Sequence, residues 1–90
     1  MSFSPAVSVG TYDMGNPLDI VLDNSGPSNQ ALYEGSAYPG TLNTAGQLRW
    51  RIRKFIFDGN DLVMGWRWAN ASTEFNKDWT ERTTYTYESL

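Results

Sequence analysis

Glu74, Asp78 and Glu81 lie close together in sequence, and paired carboxylates can serve as acid and base or nucleophile around a glycosidic bond. They fall in a turn-rich stretch where acids are ordinarily solvated. A chain of 90 residues also leaves little room for a cleft that buries most of a ligand. Asp58, Asn60 and Asp61 offer oxygen ligands of the kind Ca²⁺ takes, but the full EF-hand spacing is absent and a hairpin turn accounts for all three. There is no histidine and no cysteine. That removes imidazole and thiolate metal ligands, disulfides, and both Ser-His and Cys-His nucleophile pairs. The expectation is a domain that binds and does not catalyse, with no cofactor and no metal.

The other residues with usable chemistry are aromatic and cationic. Trp50, Trp66, Trp68 and Trp79 are many tryptophans for a small chain. Exposed and coplanar they would form a stacking platform for sugars or bases. At strand spacing they serve more readily as buried anchors, each removing a large area from water. Trp50, Ile52, Trp66, Trp68, Phe75 and Trp79 are therefore the expected core anchors. Arg49, Arg51, Arg53 and Lys54 supply four of the seven cations within six residues, and no Lys or Arg precedes them. Asp13, Asp19, Asp23 and Glu34 make that first half acidic. Such asymmetry suits head-to-tail complementarity between copies or partners. The net charge of −3 and pI near 4.6 argue against nucleic acid, whose affinity needs clustered cations on phosphates. The expected protein-interface residues are Arg49, Arg51 and Arg53 on one strand and Leu18, Ile20 and Leu22 near the N-terminus.

The elements that position these groups read as short strands. Residues 1–28 are rich in Ser, Gly, Pro and Asn and read as an extended arm with one short strand at 18–22. Residues 29–90 read as the compact domain. Leu32-Tyr33-Glu34-Gly35 begins a strand that the Pro39-Gly40 turn ends. In residues 48–57, Leu48, Trp50, Ile52 and Ile56 alternate with Arg49, Arg51 and Arg53, the period-2 pattern of a half-buried strand. Lys54 interrupts the apolar face. A bulge near Arg53-Lys54, or passage from surface to buried surroundings, would account for it. Asp58-Gly59-Asn60-Asp61 signals a hairpin turn. The return strand runs over 62–68, with Gly65 marking a bulge or a close backbone approach. Asn70-Ala71-Ser72 reads as a turn, residues 73–79 as a helical turn bringing Phe75 and Trp79 to one side, and 83–87 as a last strand.

Together these predict an all-β domain, a small antiparallel β-barrel or two-layer sandwich of four to six short strands with an extended N-terminal arm. A domain of this size buries only roughly 60–65% of its unfolded surface, so self-association or docking on a larger assembly is the expected source of further stability. The first residues lack the basic start and apolar stretch of a signal peptide, and no apolar run is long enough to span a membrane.

Residues 31–87 resemble a group of short virion structural proteins of tailed phages. The similarity runs through Leu32-Tyr33-Glu34-Gly35, Ala37-Tyr38-Pro39-Gly40-Thr41, Trp50-Arg51-Ile52-Arg53-Lys54 and Asp58-Gly59-Asn60. It continues through Trp68-Ala69-Asn70, Phe75-Asn76, Trp79, Arg82 and Tyr85-Thr86-Tyr87. Similar chains tend to read Trp-Ala-Asp-Gly where this one has Trp68-Ala69-Asn70-Ala71. The resemblance implies a virion component made in the host cytoplasm, with the major capsid protein or tail proteins as partners and a homo-oligomeric or lattice-bound state. Capsid decoration is the first expectation, with a head-fibre base and a tail or baseplate protein as alternatives; exposed Trp and Tyr would instead make a carbohydrate-binding adhesin module.

Overall fold

The structure, a computed structural model, describes residues 17–88. Four strands form an antiparallel meander: β1 (Asp19–Asp23), β2 (Tyr33–Ala37), β3 (Leu48–Phe57) and β4 (Val63–Trp68), in that spatial order. A two-residue strand, β5 (Lys77–Asp78), pairs with the start of β3 at Leu48 and Trp50. The only helical pieces among the described residues are 3-10 turns at Pro27–Asn29, Ala69–Ala71 and Trp79–Thr84. The all-β class is as the sequence predicts. Among the described residues the sheet is open and does not close into a barrel, because β1 and β4 are its two edges.

Period-2 alternation assigns the two faces of the meander. Register places Val21, Gly35 and Ile52 in one row, and Asp23, Tyr33, Lys54 and Arg67 in the next. Cross-strand partners share a face, so these rows and Trp50 look toward the core. The core itself is Tyr33, Ala37, Trp50, Ile52, Ala69 and Trp79, with Val21, Leu32, Tyr85 and Tyr87 packed around it. Its second layer is not a sheet. The irregular chain from Ala69 to Tyr87 folds across this face and supplies Ala69, Trp79, Tyr85 and Tyr87.

Local chemistry explains that cover. Asp78 caps the Trp79–Thr84 turn, its Oδ1 accepting from the Thr80 N–H at 2.9 Å and the Thr80 hydroxyl at 2.7 Å. Its Oδ2 accepts from the Gly46 N–H at 2.7 Å, which ties the turn to the loop before β3. Trp79 then lies directly on Gly35. A Cβ at residue 35 would stand 2.7 Å from Trp79 Cε3, so only glycine allows this approach. Arg82 stacks on Trp79, with its guanidinium carbon 4.6 Å from the ring centroid, and donates from Nε to Asp23 Oδ2 at 2.8 Å. The C-terminal cover is thereby clamped to edge strand β1.

Several sequence expectations shift. β1 lies inside the segment read as an arm but is an integral edge of the sheet, so the domain begins before the expected boundary at 28/29. The rest of that expected arm, residues 1–16, falls outside the described residues. The β3 ladder is regular at Arg53 and Lys54. Its irregularities lie at Ile56/Phe57 against β4 and at Leu48/Trp50 against β5. Lys54 is on the core face, its ammonium 5.8 Å from the Tyr33 ring and 5.9 Å from the Tyr87 ring, so aromatic faces accommodate the charge. The β4 bulge does sit beside Gly65, where Met64 is the extra residue. Residues 73–79 make no helical turn, and 83–87 make no strand. β5 and the Trp79–Thr84 turn take their place, because pairing with β3 and the Asp78 cap satisfy the backbone there.

A candidate binding face on the open sheet

The face turned away from the core carries the expected interface residues. Register sets Ile20 opposite Ser36 and Ser36 opposite Arg51, then Leu22, Glu34, Arg53 and Trp68 in one row, with Phe55 opposite Trp66 beside it. Among the described residues no second sheet and no helix covers this row. Its aromatic and cationic side chains interleave. The Arg51 guanidinium carbon lies 4.9 Å from the Phe75 ring centroid and 5.0 Å from that of Trp68. The Arg53 guanidinium carbon lies 5.7 Å from Trp68, 4.3 Å from Trp66 and 5.0 Å from Phe55. Tyr38 continues the stack, 5.0 Å from Phe75, and Phe55 meets Trp66 edge-on at 6.3 Å. Ring, cation, ring, cation, ring is a favourable order, since each guanidinium meets the negative faces of its neighbours.

Hydrogen bonds set the two arginines. Arg53 Nε donates to Glu34 Oε1 at 2.6 Å, a pair about four-fifths shielded from solvent. Arg51 Nε donates to Ser36 Oγ at 3.3 Å, and among the described residues Arg51 meets no carboxylate. Arg51 is thus the uncompensated cation of the ladder. Two exposed aliphatic side chains, Ile20 at 51% and Leu22 at 54%, complete it on β1.

The expected site residues therefore separate. Arg51, Arg53, Ile20 and Leu22 come together on one face. Arg49 points the same way but stands beyond the ladder, exposed, beside an open groove that also includes Tyr38, Leu42 and Gln47. Leu18 is partly buried at the start of β1. Trp50, Ile52 and Trp79 lie in the core. Trp66 does not: it is 46% exposed, because register puts it opposite Phe55 on the outer face. Trp68 and Phe75 are only partly buried, and they pack on arginine instead of on the core. Glu34, Ser36, Phe55 and Tyr38 also belong to the ladder, though none is an expected site residue from sequence. The alternation through Arg49 to Phe57 placed Phe55 on the arginine face, which was the available signal.

Asp78 and Asp58 are engaged in local structure. Asp78 is buried, and the hydroxyl and amide of Thr80 and the amide of Gly46 hold its carboxyl below the ordinary value against the opposing effect of burial. Asp58 Oδ1 accepts from the Asn60 and Leu62 N–H groups at 2.8 and 3.0 Å, as a hairpin turn requires. Among the described residues no three acids gather as a metal site, and no helix is long and apolar enough to cross a membrane. An open cavity of about 500 Å³ lies along the β4 edge, lined by Trp66, Arg67, Trp68, Asn70, Ala71, Thr86 and Glu88.

Comparison with family models, with curated proteins and with solved structures finds no match for this chain.

Proposed function

We propose that this chain is a non-enzymatic protein-binding domain whose working surface is the open face of the sheet. The observation that carries the reading is the exposed apolar pair Ile20 and Leu22 beside a pre-ordered ladder with one unpaired cation, Arg51. Aromatic and arginine side chains held rigid before binding lose little entropy on contact, and these residue types dominate interface hot spots. The partner we propose is another virion protein, with attachment to the major capsid protein as a decoration protein first and a tail or baseplate position second. That identity is supported by the resemblance of residues 31–87 to tailed-phage structural proteins.

The test is imaging of the particles whose genome encodes this chain, labelled with gold-tagged antibody. Label repeated over the head supports decoration, and label on the tail supports the second position. Particles that carry none refute a virion role.

A carbohydrate-binding role has one observation in its favour, the exposed Trp66 at the mouth of the cavity along β4. It requires tryptophan emission that shifts on adding glycans. Because Arg53 already covers one face of Trp66 at 4.3 Å, the protein-binding reading takes precedence.

A further inference from the structure

The hairpin joining β3 to β4 has a surface that complements the ladder face. At its tip Leu62 and Met64 are 62% and 56% exposed, with Val63 between them also exposed. Asp61 sits beside them with a positive φ of 62°, and among the described residues its carboxylate meets no cation and no hydrogen-bond donor. The tip is thus apolar and anionic. The open face is apolar at Ile20 and Leu22 and cationic at Arg51, whose two terminal NH₂ groups have no hydrogen-bond partner among the described residues. The Phe75 and Trp68 ring centroids both lie within 5.0 Å of its guanidinium carbon. Its free N–H rim is the part a carboxylate engages.

We propose that the hairpin tip of one copy docks on the open face of a second, with Asp61 against Arg51 and Leu62 and Met64 against Ile20 and Leu22. This rests on the reading of that face as a protein-binding surface. Charge selects the arrangement. Stacking two open faces symmetrically would bring the unpaired Arg51 of each copy into one interface with no carboxylate to meet it, since Glu34 is already held by Arg53. Tip on face pairs opposite charges. It uses two different patches of each copy, so contacts repeat head to tail and form a ring or an open chain.

Sedimentation equilibrium of the full chain tests this. Wild type should associate with rising concentration, and less so in high salt. Leu62→Lys spoils the tip and Ile20→Glu spoils the face, each at an exposed side chain, and either should weaken association by about tenfold or more. An equimolar mixture of the two should form dimers and nothing larger, because together they retain one intact tip and one intact face. Matching circular dichroism spectra and urea midpoints establish that both variants fold. If Ile20→Glu fails that check, Leu22→Ser replaces it. A wild type that stays monomeric to about 1 mM overturns the proposal. So does a mixture that stays monomeric while wild type assembles, or assembly by either variant as readily as wild type. A monomeric chain still found on particles would sink this contact and leave the protein-binding reading intact. A self-assembling chain absent from particles would keep this contact and sink the virion role.

Discussion

Replacing Arg53 by methionine keeps an unbranched apolar stem and removes the charge. In the native sheet that charge faces Trp66, Phe55 and Trp68 at 4.3, 5.0 and 5.7 Å and bonds Glu34 at 2.6 Å. Two close ring contacts at about 0.5–1 kcal/mol each, with a smaller third, amount to about 1.5 kcal/mol. The ion pair adds up to about 1 kcal/mol, and leaving the shielded Glu34 carboxylate without its donor costs about 1 kcal/mol more. The expected loss is about 3 kcal/mol, a large fraction of the ~5–10 kcal/mol that holds a domain of this size, and it would lower Tm by roughly 12–24 °C. Urea unfolding followed by tryptophan fluorescence and by circular dichroism measures it. Two controls separate the ladder from general surface effects. Arg49→Met, on the same strand face but beyond the ladder, should change stability by less than about 0.5 kcal/mol. The double variant Arg53→Met/Glu34→Gln should recover about 1 kcal/mol, because the orphaned charge is gone. Equal effects of Arg53→Met and Arg49→Met would refute the ladder as a structural element.

Three further outcomes follow from the geometry. Gly35→Ala drives a methyl to within 2.7 Å of Trp79 and should destabilise by about 1–3 kcal/mol with altered near-ultraviolet dichroism, whereas a change below about 0.5 kcal/mol would deny the close approach. Ala71 has a φ of +57°, so Ala71→Gly relieves left-handed strain and should raise stability by about 1 kcal/mol in the same assay. Stability should be level from about pH 5 to 9, since the chain has no histidine or cysteine. At Asp23 burial alone would raise the carboxyl, but bonds from Arg82 and Ser25 outweigh it, so both Asp23 and Asp78 titrate below their unfolded value. Their stabilisation is complete above about pH 4 and is lost as pH falls through the lower folded values, and Asp78→Asn should shrink that acid slope. Burial raises Tyr87 and Tyr33, so the reverse holds in alkali. Stability is complete below about pH 10 and declines above it, with Tyr87 absorbance changing only on unfolding.

The sequence alone determined the strand class, the hairpin and the identity of the two faces of β3. Each depends on neighbours in the chain: period-2 alternation from Leu48 to Ile56, and the turn chemistry of Asp58-Gly59-Asn60-Asp61. The absence of histidine and cysteine likewise needs no fold to limit the chemistry available. Only the tertiary structure decided which tryptophans are inside. Trp50 and Trp66 both fit a buried strand position in sequence. The β3–β4 register sends Trp66 outward with Phe55, while Trp79 returns from 29 residues further along to cover Trp50 and Gly35. The same register turned the charged stripe into a ladder by bringing β4 aromatics beside β3 arginines. It also drew β1 out of an apparent arm, since Asp23 has its partner in Arg82 near the other end of the chain. A pattern within one strand shows which face a residue occupies. What lies across that face depends on pairing between distant segments, and no local period encodes it.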